Sequence, residues 1–93
     1  MAEPGVAAAV DPSVKVRYFA AARAASGVDE ERFPLPQPAT LAALLDTVRA
    51  AHGEALNTVL ARCSYLVDEV AGRDGSVLAP GAEVDILPPF AGG

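Results

Sequence analysis

The segment from Thr40 to Val48 constrains the rest of the chain most tightly. Leu41, Leu44, Leu45 and Val48 recur at i, i+3, i+4 and i+7, the spacing that gathers apolar side chains into one stripe along a helix. Thr40 stands where an N-cap belongs, and the helix should end before Gly53. A helix of this kind cannot bury its stripe alone, so the chain must supply a second apolar layer.

Alternating segments on both sides supply that layer. From Val14 to Phe19, Val14, Val16 and Tyr18 share one face while Lys15, Arg17 and Phe19 share the other, the pattern of a half-buried strand. Ala20 to Ser26 predicts a short helical turn closed by Gly27. Glu30 to Leu35 predicts an edge strand, because Pro34, Pro36 and Pro38 cannot donate to a ladder. After the main helix, Leu56, Val59 and Leu60 mark a further short helix, and Tyr65 to Val67 a third strand. Pro80-Gly81 makes a turn into a last strand, Glu83 to Leu87, with Val84 and Ile86 inward. The expected fold is α+β, a β-grasp (ubiquitin-like) layout in which one main helix packs on one face of a mixed sheet. Its divisions are an N-terminal arm over residues 1–13, expected to be mobile, the domain over 14–87 and a C-terminal tail over 88–93.

Composition excludes several functions. The 93 residues form a single domain that buries about 60–65% of its unfolded surface. A formal charge of −5 is opposite to what phosphate backbones or anionic lipids attract, so neither nucleic acid nor membrane is an expected partner. One cysteine, Cys63, and one histidine, His52, exclude a disulfide, a thiolate-rich zinc site and a metal site built on paired histidines. The first 13 residues lack a basic n-region, and no apolar run is long enough to span a bilayer, so a cytoplasmic protein is expected. Cys63, beside the third strand, reads as a small core residue. His52 reads as a partner for the helix C-terminus, and Asp29, Glu30 and Glu31 as a solvated loop.

The tail carries the sharpest signal. After Leu87 the chain runs Pro88, Pro89, Phe90, Ala91, Gly92, Gly93. Paired prolines end the strand and project the remaining residues as a stiff stalk reaching roughly 20 Å. Two glycines without Cβ atoms make the tip slim enough for a narrow channel, with the Gly93 carboxylate as its reactive group.

From Val14 to Gly93 the chain resembles the ubiquitin-like sulfur-carrier family, most closely the small subunit of molybdopterin synthase. VKVRYFAAAR, the PATL helix entry, PGAEVDILPP and the terminal PPFAGG carry the resemblance. Two turn positions depart from the usual pattern. Ala82 follows Gly81 where Asp is usual, with the expected loss of a turn hydrogen bond, and Asp68 follows Val67 where Asn is frequent.

The resemblance implies that an E1-like enzyme uses ATP to adenylate Gly93 and that a persulfide then converts it to a thiocarboxylate, the chain binding no cofactor itself. It further implies delivery of that sulfur to cyclic pyranopterin monophosphate inside a large subunit, in a heterotetramer whose catalytic residues lie on the large subunit. Gly92 and Gly93 would then be the reacting end. Strand alternation adds Phe19 and Leu87 as an exposed apolar patch beside the tail root, gripping the partner together with Pro88, Pro89, Phe90 and Ala91. A carrier for thiamine, cysteine or natural-product sulfur, a ubiquitin-like modifier of lysines, and a plain interaction domain are the alternatives.

Overall fold

The computed structural model describes residues 13–89; of the expected arm, residues 1–12 lie outside them, as do Phe90, Ala91, Gly92 and Gly93 of the tail. Strand β1 spans Ser13–Tyr18, helix α1 Ala20–Ser26, β2 Glu30–Pro34 and β3 Ala39–Thr40. Helices α2, Leu41–Ala51, and α3, Glu54–Leu60, follow directly, then β4, Ser64–Val67, β5, Val70–Ala71, β6, Val77–Leu78, and β7, Glu83–Leu87. The main sheet has the order β2-β1-β7-β4-β5, and β3 pairs with β6 in a two-stranded sheet. Only β1 and β7 run parallel, with Lys15 opposite Glu83 and Tyr18 opposite Ile86. A mixed sheet covered by helices on one face is the β-grasp arrangement that the element order predicts.

The α2 stripe makes the core. Leu41, Leu44, Leu45 and Val48 are all buried, against Val14, Val16 and Tyr18 of β1 and Val84 and Ile86 of β7. Phe33 and Leu35 close one side from the edge strand, and Ala22, Leu56 and Leu60 bring α1 and α3 onto the same cluster. The start of α2 is fully tied: Thr40 Oγ1 accepts from Ala43 N–H at 3.2 Å, while Leu41 and Ala42 N–H donate to Ser76 and Asp74 carbonyls at 2.9 and 3.0 Å. Those three bonds occupy donors that a helix start otherwise leaves without partners. Gly27, at φ +82°, closes α1 by donating to the Arg23 carbonyl.

Two local expectations change, at Ser13 and Ala82, while the expected turn at Asp68 is present. β1 begins at Ser13, whose carbonyl accepts from Gly81 N–H at 2.7 Å, so the last residue of the expected arm belongs to the sheet. Ala82 is buried rather than a turn residue short of a bond: its N–H donates to Ala79 O, and the next amide, of Glu83, donates to Asp68 Oδ1 at 2.9 Å. Asp68 and Glu69 form the two-residue turn between β4 and β5 with φ of +47° and +71°, the left-handed pair that matches the twist of a tight hairpin. Among the described residues no helix is long and apolar enough to cross a membrane.

Candidate functional site at the root of the C-terminal tail

Where the tail leaves the sheet is decided by β7, the centre of the five strands. Val84 and Ile86 point into the core and are fully buried, so Glu83, Asp85 and Leu87 must face the other way. Pro88 is half-buried and Pro89 exposed, and neither can extend the ladder. The stalk therefore starts from the most constrained strand of the sheet.

The outer face beside it holds an ion-pair ladder. Arg17 Nε donates to Asp85 Oδ1 at 2.9 Å, and Arg17 Nη1 lies 3.5 Å from Glu83 Oε2. Lys15 Nζ sits 3.4 Å from Glu30 and 3.7 Å from Glu83. Asp85 is only 7% exposed, although alternation sends it outward. The Arg17 guanidinium also lies over the Phe19 ring, 5.2 Å from its centroid, close enough for a cation–π attraction.

Phe19 and Leu87 are thus placed on the outer face, as expected, but half-buried rather than fully exposed. β1 stops at Tyr18, and Phe19 continues in extended conformation as the residue capping α1, with Ala20 at φ +50° just after it. Leu87 stands opposite Ser64 of β4, and Leu66 stands opposite Asp85 on the same face. Leu66 was not among the expected contact residues. The signal was present, since Tyr65 and Val67 face Ile86 and Val84 and leave Leu66 on the other side. Gly92, Gly93, Phe90 and Ala91 fall outside the described residues.

The remaining chemistry-bearing residues are structural. The Cys63 thiol is partly buried, donates to the Val59 carbonyl at 3.3 Å and has its pKa raised by that burial, which disfavours the reactive thiolate. His52 caps α2 through its N–H to the Val48 carbonyl, but its ring engages Glu31. The acidic run divides: Asp29 is an exposed loop residue, as expected, whereas Glu30 and Glu31 belong to a strand and Glu31 is drawn into the fold. Glu30 and Glu31 lie in β2, Asp29 pairs with Arg23 at 2.9 Å, and Glu31 accepts from the Tyr18 hydroxyl at 2.6 Å and bonds His52 Nε2. Glu31 sits opposite Val16, so strand alternation turns it toward the helices.

The chain is similar to known proteins in sequence and in overall fold. The molybdopterin synthase sulfur carrier subunit of Chlamydomonas reinhardtii is 39% identical over 82 residues, covering 86% of this chain and 98% of that protein. The subunit of the same name from Emericella nidulans is 34% identical over 89 residues, covering 85% and 96%. The crystal structure of SAMP1 from Haloferax volcanii matches with a TM-score of 0.80 at 26% identity, covering 87% of this chain and 99% of that one. The model of the ThiS family matches residues 16–93, from the middle of β1 through the central strand to the terminal glycine. With a family model matched over residues 16–93 and relatives more than 30% identical over nearly their whole length, the chain belongs to the ThiS family.

Proposed function

We propose that this chain is the sulfur carrier of a molybdopterin synthase. The observation that carries the reading is the family match through Gly93 together with relatives named as sulfur carrier subunits that align over nearly their whole length. In this reading the Gly93 carboxylate, a poor electrophile, is adenylated by an E1-like enzyme that consumes ATP, with release of pyrophosphate. A persulfide sulfur then displaces AMP, and thiol cleavage of its S–S bond leaves a thiocarboxylate. The carrier binds no cofactor of its own.

The tail enters a large subunit, which holds the catalytic residues and the cyclic pyranopterin monophosphate. A dithiolene needs two sulfurs, so two carriers discharge per product, consistent with a heterotetramer. Phe19, Leu87 and Leu66 form the docking face, while Pro88, Pro89, Phe90 and Ala91 line the channel and Gly92 lets the tip pass. Excluding water around the tail protects the acyl-adenylate and the thiocarboxylate from hydrolysis.

The test is reconstitution with an E1-like enzyme, ATP and a persulfide donor, followed by mass spectrometry of the C-terminal peptide. Exchange of oxygen for sulfur on Gly93, and pterin dithiolene formation once large subunit and precursor are added, are the expected results. A chain that stays a carboxylate, or that works equally well without Gly93, defeats the proposal. The likeness to SAMP1, named in other solved structures as a small archaeal modifier protein, favours a second reading as a lysine modifier. Isopeptide-linked Gly93 on other proteins in native cells would support that one.

A further inference from the structure

Pro88 and Pro89 do more than end β7. They form one wall of an open groove of about 250 Å³, closed by Ala21 of α1, Thr58 and Val59 of α3, and Arg62 just beyond α3. Of the outer-face residues Arg17, Phe19, Leu66 and Leu87, none lines it. Its walls are mostly apolar: two proline rings, the Ala21 methyl and the half-buried Val59. Arg62 is exposed, and among the described residues no carboxylate pairs with it.

The described chain stops in the groove wall itself, at Pro89. Four residues come after it, beginning with an aromatic, Phe90, and ending with a carboxylate, Gly93. Fully extended they reach about 13 Å, enough to turn back across a groove of this size. Gly92 and Gly93 give that return path the backbone freedom that other residues lack. The order of features matches the groove: an apolar ring is needed next to the proline wall, and an anion at the Arg62 end.

We propose that this groove is the resting seat of the chain's own C-terminus, with Phe90 packed on Val59 and Ala21 and the Gly93 carboxylate facing Arg62. The exposed ion pair is weak and salt-screened, so the seat is occupied reversibly and a partner's cleft can take the tail from it. The extended stalk is then the partner-bound form, and the seated tail the form of the free chain. The proposal concerns the free protein and does not depend on the sulfur-carrier reading.

NMR on the full chain at low concentration tests it, using Phe90→Ala and Arg62→Glu. Phe90→Ala should move the Val59 methyl and Ala21 amide resonances, and Arg62→Glu should weaken dissociation of the Gly93 carboxyl about two- to fivefold. Unmoved Val59 and Ala21 signals overturn the proposal, as does an unchanged Gly93 titration. Shifts that disappear on dilution also overturn it, because the occupant would then be the tail of a second copy. Arg62 is exposed and outside the buried cluster, so Arg62→Glu leaves the core packing untouched.

Discussion

Arg17 on β1 and Asp85 on β7 stand opposite each other in the parallel register, joined by a 2.9 Å hydrogen bond from Nε to Oδ1. Asp85 is the buried charge of the outer face, and Arg17 both neutralises it and roofs Phe19. Asp85→Ala removes the anchor and frees Arg17 to swing off the ring. The expected cost is about 1–2 kcal/mol in urea unfolding, less than for a fully buried pair because the Arg17 side chain is 39% exposed. Asp85→Asn, which keeps the shape and one acceptor, should cost less.

Alkaline pH should unfold the protein through Tyr18. Its phenol is buried and donates to the Glu31 carboxylate, and both effects hold its pKa far above the ordinary 10.0. Above about pH 10 the unfolded chain therefore loses a proton that the folded chain keeps, so stability falls as pH rises, by up to about 1.4 kcal/mol per pH unit for one group. Tyr65, raised by burial, adds a part in the same direction. Tyr18→Phe should flatten the slope above pH 10 while costing about 1–2 kcal/mol at neutral pH, where Glu31 loses a donor. Equal slopes in the two proteins would show that the phenol is not the group responsible.

What the sequence discloses and what it hides divide along a physical line. The stripe Leu41, Leu44, Leu45, Val48 and the Thr40 cap are set by local spacing, and they appear in the structure as read. Val14, Val16 and Tyr18 are likewise buried as alternation dictates. The misread residues take their roles from partners distant in sequence. Glu31 meets a hydroxyl 13 residues away and a ring 21 residues away, and the turn at Ala82 is completed by the Glu83 amide donating to Asp68, 15 residues away. Alternation could place Asp85 outward, but only the register with Arg17 shows why it is nevertheless covered. At the site, Phe19 and Leu87 were legible from strand parity, whereas Arg62 joins the tail root only through the packing of α3 beside Pro88.

Gly72 is required by space rather than by backbone angle. A Cβ built there would stand 2.8 Å from Val67 Cγ2 and 3.2 Å from Leu41 Cδ2. Val67 is β-branched and Leu41 fully buried at the head of α2, so neither moves aside freely. Gly72→Ala should therefore destabilise by about 1–3 kcal/mol, as overpacking does. Gly75→Ala, with open space around its Cβ, is the control and should stay within about 0.5 kcal/mol.

Partner docking on the outer face makes the most discriminating prediction. Phe19, Leu87 and Leu66 are half-buried in the free chain, so truncating each removes some packing as well as any contact with a partner. Core and interface roles separate when both quantities are measured. For a docking face, Phe19→Ala and Leu87→Ala should each weaken binding to the large subunit by about 2 kcal/mol or more in calorimetry, with melting temperatures lowered only slightly. Leu66→Ala should act in the same direction more mildly, since it lies one strand further from Phe19. Val77→Ala supplies the contrast: Val77 is 69% exposed but belongs to the separate two-stranded sheet, so its loss should leave affinity unchanged. If Phe19→Ala and Leu87→Ala lower the melting temperature and bind as tightly as the parent chain, both are packing residues and the docking face lies elsewhere.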